Sequence, residues 1–506
     1  MACPPNGYTG MGALLMETAD RPLGTDTAAP TAAGVLSRLD RINVWSLSYL
    51  FIGIIGVGFL FTFFDIVDIN VSWIQTCVQL RPGCTPANAG GSFTSVLVLN
   101  LAGYGVGTLL LSPMSDRIGR RNMLIITLAI TGLSSLYDAF APDLTSFIVA
   151  RTITGIGIGA DLAIVNAYIT EVAPRHGRAK YTASIFVFSG IGGFLGAWLG
   201  VLFTTPAEPW PNGLPFALGG EHFQGDGWRW MYGLGALLAV IGLVLRHELP
   251  ESPRWLITRG RIDEADRVVT KMEERALRKG PLPDPVPDPD YRAVPPDKVP
   301  YRTLFSSSRY VRRIVLLLST WIFGYATVYG FTSGFTVVIA GLTDNGRPVY
   351  SPSTAGLIAA TGSFGVIIGA LVAVRVTERL DRRWWLPIGT VCTAIGCLVT
   401  ALAGTSLYLA FLGSIIIFFG FDIWVAPMYA LSTESFPTRA RGTGFALVDG
   451  IGHLGGALAV LVVVPNLSDL SPLGAFLLIA GFQAVAAILV QFAPNTRNQL
   501  LDEVSP

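Results

Sequence analysis

Apolar residues in this chain come in runs of roughly twenty, separated by short charged clusters, which is the spacing of membrane-crossing helices. Twelve such runs are predicted to be helices, at 45–68, 93–113, 122–140, 146–170, 181–203, 229–248, 311–340, 353–375, 385–404, 407–432, 442–465 and 473–493. Lipid offers no hydrogen-bond partner to the backbone, so each run is expected to satisfy its own amides as a helix. An even number of crossings puts both ends of the chain on one side.

The polar clusters between the runs give the orientation. Arg117, Arg120 and Arg121, then Arg175, Arg178 and Lys180, then Arg379, Arg382 and Arg383, then Arg439 and Arg441 fill alternate loops, whereas the opposite loops carry little beyond Arg81 and Arg347. The positive-inside rule then makes both termini and the central loop cytoplasmic, in a plasma or bacterial inner membrane. The expected organisation is a disordered tail over 1–41, a six-helix bundle over 42–248, a linker over 249–310, a second six-helix bundle over 311–494 and a tail over 495–506. The first segment is rich in Pro, Thr, Ala and Gly and has no apolar run behind a basic start, so it does not read as a signal peptide. The linker opens with PESPRWL, continues as an amphipathic helix from Ile262 to Lys279, and then has eight prolines from Pro281 to Pro300.

Composition narrows the function. Of 506 residues 51% are hydrophobic and 14% charged, against roughly 25% charged in soluble domains, which excludes an ordinary soluble enzyme. The net charge of +1 gives no sign of nucleic-acid binding. None of the four lysines, Lys180, Lys271, Lys279 and Lys298, follows a glycine, so there is no Walker loop and transport by ATP hydrolysis is set aside. The five cysteines form no metal framework and no cofactor is expected; Cys77 and Cys84 share a loop and would pair if it faces an oxidising side, while Cys392 and Cys397 sit in an apolar run. The expected partners are lipid, protons and a small molecule, with the chain a monomer.

The two halves repeat each other. Asp116-Arg117-Ile118-Gly119-Arg120-Arg121 returns as Glu378-Arg379-Leu380-Asp381-Arg382-Arg383, and Glu171, Pro174 and Arg178 return as Glu434, Pro437 and Arg441. Parallel six-helix repeats are one architecture of alternating access. At these positions, with Arg151 to Asp161 (RTITGIGIGAD) and PESPRWL, the chain from about 45 to 494 resembles the major facilitator superfamily. The resemblance implies twelve helices in two pseudo-symmetric bundles, an all-α membrane fold. It also implies that Asp116, Arg117, Arg120, Arg121, Glu171 and Arg178, with Glu378, Arg379, Arg382, Glu434 and Arg441, are gating residues whose ion pairs hold the cytoplasmic side closed. Ser112 departs from the glycine usual in the loop motif.

Within the superfamily the chain resembles the metabolite:proton symporters and the sugar-porter and synaptic-vesicle-protein-like groups. The seventh helix lacks the paired glutamine of sugar porters. Asp65 and Asp68 look like the paired aspartates of aromatic-acid and phosphate symporters, and Asp161 matches an acidic position of the phosphate and synaptic-vesicle-protein-like groups. Tyr325 stands where phosphate transporters have an aspartate, which demotes phosphate.

Ionisable side chains inside a bilayer are costly and mark function. The set read from the sequence is Asp65, Asp68, Arg151, Asp161, Asp422, Asp449 and His453. Asp65 and Asp68, near the outer end of the first helix, are expected at the level of Arg151, and with Asp161 form the proton-coupling set; a static ion pair is the competing reading. His453 lies where related carriers place a permanent charge. It is expected to contact the solute, with Asp449 one turn earlier stabilising a proton on it. Trp321, Tyr325 and Tyr329, four residues apart, share a helix face and complete the expected substrate wall. Glycines at four-residue spacing in the second, fifth, eighth and eleventh helices, Gly103 and Gly107, Gly192, Gly196 and Gly200, Gly365 and Gly369, and Gly452 and Gly456, are expected to let the halves slide. The combined expectation is proton-coupled symport of a small polar solute, a sugar, polyol or monocarboxylate. Proton-coupled efflux, uncoupled facilitation and a non-transporting sensor are the alternatives.

Overall fold

The structure is a computed structural model and describes residues 29–47, 49–85, 88–174, 178–220, 223, 225–287, 300–340, 343–344, 347–404, 406–437, 440–463, 470–497 and 504. Among them, twelve helices are long and apolar enough to cross a membrane: Tyr49–Leu80, Ala89–Ile118, Arg120–Ala139, Leu144–Val172, Lys180–Thr204, Gly227–Arg246, Ser308–Thr332, Pro352–Val376, Arg382–Ala401, Leu407–Glu434, Arg441–Val463 and Leu473–Phe492. They are the first to twelfth spans below. A two-residue antiparallel pair, Thr343–Asp344 with Arg347–Pro348, is the strand structure among the described residues.

Several spans start where the sequence supplies a cap. Asp143 accepts from the Ser146 amide at 2.9 Å at the head of the fourth span, and Ser351 and Ser471 do the same ahead of Pro352 and Pro472. Within the first half the first span packs on the fifth, the second on the fourth and the third on the sixth; in the second half the eighth and ninth pack on the tenth, and the seventh on the eleventh and twelfth. The halves meet where the fifth span lies on the eighth and the second on the eleventh.

Four expectations change. The first helix does not stop at 68 but runs from Tyr49 to Leu80, so Asp65 and Asp68 lie in its middle, about three turns short of its end. Its polar last turns stay helical because neighbours satisfy them: the Trp228 amide donates to Gln75 Oε1 at 2.9 Å and the Trp228 indole to Gln79 Oε1 at 2.8 Å. The tail expected to be disordered over 1–41 holds a helix, Ala32–Asp40, whose Arg38 pairs with Asp266 and Glu273 of the linker helix Ile262–Leu277. Arg41 also reaches Glu273, at 2.7 Å; residues 1–28 lie outside the described ones.

Third, three runs expected to be continuous are broken, all in the second half. The seventh ends at Thr332 and resumes at Phe335–Ala340, the tenth turns at Ile423 and Trp424, and the eleventh at His453 and Leu454. Pro427 explains the tenth, because it has no N–H for the carbonyl of Ile423 and its ring crowds that carbonyl. Fourth, the spaced glycines mostly seat neighbours of their own half. A Cβ on Gly107 would lie 1.9 Å from Ile156 O, one on Gly192 2.1 Å from Leu60 O, and one on Gly365 2.1 Å from Ile415 O. Gly450 makes a closer crossing between halves, where a Cβ would meet Thr108 at 2.6 Å.

Cys77 and Cys84 form a disulfide at the far end of the first span.

Candidate functional site: a buried acid cluster beside a central cavity

The first span carries two functional faces. One faces its own bundle, where Arg151 Nη1 of the fourth span meets Asp65 Oδ2 at 2.8 Å and Nη2 donates to the Asp65 backbone carbonyl at 2.8 Å. The structure thus brings Asp65 and Arg151 together, and adds two residues that the sequence reading missed. Asp138 of the third span lies 3.9 Å from Arg151 Nη1, and the guanidinium sits 5.3 Å from the centre of the Tyr232 ring. All four charged groups, Asp65, Asp68, Asp138 and Arg151, are buried, with at most 2% exposure. Both carboxylate oxygens of Asp68 and of Asp138 lack a hydrogen-bond partner among the described residues. One guanidinium therefore serves three acids, an excess of two carboxylates over cations in a place where unpaired charge is very costly.

Asp161 does not join this cluster. It lies about three turns further along the fourth span and pairs with Arg246, Nη1 to Oδ1 at 2.5 Å and Nη2 to Oδ2 at 2.9 Å, and accepts from Thr127 at 2.8 Å. Arg246, fully buried at the end of the sixth span, was not in the expected set of membrane charges. Gly58 makes room for it: a Cβ there would lie 2.2 Å from Arg246 Nη2. Asp161, expected in one proton-coupling set with Asp65, is thus placed apart from it and beside a separate guanidinium.

The other face of the first span, Phe63, Ile66, Val67 and Asn70, borders a cavity between the halves. Its volume is about 70 Å³, room for a handful of waters. Across from the first span it is walled by Tyr325, Tyr329, Phe418, Phe421, Asp422, Val425, Tyr429 and His453. The three helix breaks of the second half all border it, through Thr332, Asp422 with Val425, and His453. Asn70 Oδ1 accepts the Thr336 amide at 3.2 Å on one side of it, and Phe186 meets Tyr429 edge-on at 5.1 Å between the halves.

The expected substrate wall is assembled, though not every member reaches the cavity. Trp321 stacks on Tyr325 at 4.7 Å and its indole donates to Ser432 Oγ at 2.8 Å, so it stands behind the wall. Asp449, also behind it, accepts from Tyr325 at 2.7 Å and from Tyr104 of the opposite half at 3.0 Å; the Tyr325 and Tyr429 hydroxyls are 2.9 Å apart. His453 lies between the Tyr104 and Tyr325 rings at 3.6 and 3.7 Å. Its Nδ1 is 2.8 Å from the Asp449 carbonyl oxygen and 3.7 Å from the carboxylate. Nδ1 of His453 therefore lies nearer the backbone carbonyl of Asp449 than the carboxylate expected to hold its proton. Tyr104 and Tyr429 escaped the sequence reading; an aromatic between Gly103 and Gly105 was the available signal for the first.

The loop clusters gather on the side of the linker. Arg120 pairs with Asp116 at 2.5 Å and with Glu171 at 2.9 Å, and Arg382 with Glu378 at 3.0 Å and Glu434 at 3.6 Å. These pairs lie within each half. Arg117 and Arg379 are exposed, and Arg441 Nε donates to Phe436 O at 3.4 Å. The Arg178 side chain and Arg175 and Arg439 lie outside the described residues. PESPRWL completes the first cluster: Glu251 accepts the Arg120 amide at 2.9 Å and the Arg121 amide at 3.3 Å, capping the third span, while the Trp255 indole donates to Asp116 O at 2.9 Å. Gly119, at φ 111°, permits this turn, and a Cβ there would lie 2.3 Å from Glu251 Oε2. Burial, the largest influence, raises the Glu251 carboxyl above its ordinary value, against amide donors that lower it.

Comparison with known proteins places the molecule. Residues 50–506 match the family model described as sugar (and other) transporter. The chain is 27% identical over 479 residues to the niacin transporter NiaP of Acinetobacter baylyi, covering 93% of this chain and 99% of that one. To the glucose transporter GlcP of Staphylococcus epidermidis it is 29% identical over 434 residues, 81% of this chain and 86% of that one. The fold is that of the proton:xylose symporter XylE of the major facilitator superfamily, with TM-score 0.69 at 20% identity over 91% of this chain and 99% of that chain. With twelve crossing helices, two bundles and a cavity between them, the chain belongs to the sugar (and other) transporter family and is a multi-pass membrane transporter, not an enzyme.

Proposed function

We infer that this transporter imports a small polar organic solute together with protons by alternating access. The observation that carries the reading is the three-acid, one-arginine cluster around Arg151, set on the same helix as the cavity wall. Three ionised carboxylates against one guanidinium is an arrangement that burial resists, so the cluster takes up protons, and Asp68, which among the described residues has neither a hydrogen bond nor, unlike Asp138, an ion pair to Arg151, is the acid that exchanges one in the cycle. When the cavity closes on a solute, the first span shifts, the Arg151 to Asp65 contact changes, and the attraction felt by Asp68 changes with it. The relatives support coupling and solute size: one is named for niacin, one for glucose, and the solved structure for proton and xylose together.

The solute is a sugar, polyol or monocarboxylate. The cavity wall offers aromatic rings with Asn70, Ser189, Thr332, Ser363 and His453, and among the described residues no arginine or lysine borders it, which disfavours a dianion. The basic loops put the chain ends and the linker on the cytoplasmic side of a plasma or inner membrane, and the transporter acts as a monomer. The loop clusters act as gates, stiffening the cytoplasmic ends of each half so that the halves rock as bodies.

The test is uptake into proteoliposomes of labelled D-xylose, D-glucose and nicotinate, with and without an inward pH gradient. Gradient-driven accumulation of at least one solute is expected, lost in Asp68→Asn while counterflow exchange survives. Accumulation indifferent to the gradient overturns coupling.

A further inference from the structure

Asp422 is a buried acid that the coupling cluster does not use. It is 8% exposed, borders the cavity, and has no hydrogen-bond or ion-pair partner among the described residues. Its carboxylate lies against Gly369 of the eighth span, where a Cβ would come within 2.8 Å of Oδ2. Phe418 and Val425, one turn to either side, and Phe421 and Val366 complete an apolar corner that opens toward the cavity. The other titratable groups bordering that cavity are Tyr325 and Tyr329 from the seventh span, Tyr429 from the tenth and His453 from the eleventh. The eighth span's own cation, Arg375, is exposed at its end and turned back to the Leu371 carbonyl; the ninth span has Cys392 and Cys397, and Arg382 and Arg383 at its other end are held by acids. Among the described residues no cation lies within ion-pair distance of Asp422, and none borders the cavity beside it.

We propose that Asp422 is a second proton-carrying acid, loaded when the cavity closes around its solute and unloaded when the cavity opens to water. A carboxylate in an apolar corner keeps its charge only while water solvates it. The cavity admits a handful of waters, and a solute that fills it displaces them. Solute and proton therefore bind cooperatively, and by reciprocity each raises the affinity for the other. When the cavity opens to the far side, water returns and the proton leaves with the solute. This proposal rests on the symport reading and extends it: the cluster around Arg151 moves one proton per cycle and Asp422 moves another, so the stoichiometry is two protons per solute.

Two measurements test it. Infrared spectra of the full chain in lipid, without solute, between about pH 5 and about pH 9 are expected to show, growing as the pH falls, a carboxylic-acid C=O component that belongs to Asp422 and is separate from that of Asp68. Asp422→Asn removes it, Asp65→Asn leaves it, and Asp422→Glu, which guards against a misfolded variant, restores it at a shifted frequency. Spectra in which Asp422→Asn removes no such band overturn the proposal. In proteoliposomes holding an internal pH dye, with D-xylose, D-glucose and nicotinate each as probe, the proton-to-solute ratio should fall about two-fold in Asp422→Asn, since one of two carriers is lost. An unchanged ratio overturns the assignment, and so does an unchanged ratio accompanied by loss of phenethylamine binding, which would make Asp422 a receptor for cations. If none of the three probes moves protons in the wild type, the symport reading fails, and the infrared result alone retains or removes Asp422 as a proton-holding acid.

Discussion

Asp65 and Asp161, buried in the first half of the bundle, meet guanidiniums, whereas Asp449 and Asp422, buried in the middle of the second half, meet hydroxyl groups or an apolar wall. Asp65 and Asp161 have Arg151 and Arg246, while Asp449 has the hydroxyls of Tyr104 and Tyr325, and Asp422 has no partner among the described residues. The halves repeat the same loop motifs, so the difference lies in the buried side chains and in the three broken spans of the second half. Ion pairs in a dry interior hold their geometry because separating them exposes uncompensated charge. Neutral hydroxyl donors exchange partners at a lower cost. The first half is thus built as the stiffer body, and the second, with its three broken spans, as the one that adapts to the contents of the cavity.

The harshest way to break this contrast is to remove a guanidinium. Arg151→Gln strands three acids and is expected to destabilise the protein by about 3–5 kcal/mol, read as a large drop in melting temperature in detergent; an unchanged melt would deny the cluster its ionic character. Arg246→Leu should cost a similar ~3–5 kcal/mol, most of it recovered when Asp161→Leu is added, because the pair then leaves no charge behind. Proton coupling should persist in that double variant, and its loss would return Asp161 to the coupling set.

Smaller effects are expected in the second half. Asp449→Asn weakens two hydroxyl contacts, each worth ~0.5–1.5 kcal/mol, and Tyr104→Phe removes one of the contacts that cross between the halves. Both should change transport rate and solute affinity more than the melt; the reverse outcome would make the network a structural staple. At His453, glutamine should be the mildest replacement, since it keeps a donor for the Asp449 carbonyl and an acceptor for the cavity. Arginine should be as harmful as alanine, because a larger permanent cation does not fit between rings 3.6 and 3.7 Å away. Solute affinity across pH separates the cases, and stronger binding in His453→Arg would point to an anionic solute. The smallest change belongs to the exposed Arg117, where alanine should alter stability by at most ~1 kcal/mol and leave the competition profile among solutes intact.

Much of the acid cluster was legible because Asp65, Asp68 and Arg151 interrupt long apolar runs. Asp138 was not, since it falls near the end of its run and looks like a residue of the interface. Arg246 was missed for a related reason. At the edge of the sixth run it counts as one more positive-inside charge, and its inward turn onto Asp161 depends on the space left by Gly58. Tyr325 and Tyr329 were found by their spacing on one helix, but Tyr104 and Tyr429 come from other spans and share no local pattern with them. The first helix was read too short because Asn70, Ser72, Gln75 and Thr76 look like a loop; packing against Trp228 satisfies two of its last polar side chains and lets the helix continue.

By itself the sequence determined how many times the chain crosses the membrane, which loops are basic and that its two halves are copies, because hydrophobic length and charge act locally and a bilayer enforces them on each segment separately. Which acid meets which cation was decided only by the tertiary structure. A guanidinium and a carboxylate 86 or 85 residues apart, as in Arg151 with Asp65 and Arg246 with Asp161, are joined by helix rotation and depth, which packing against neighbouring helices fixes and no window of sequence contains.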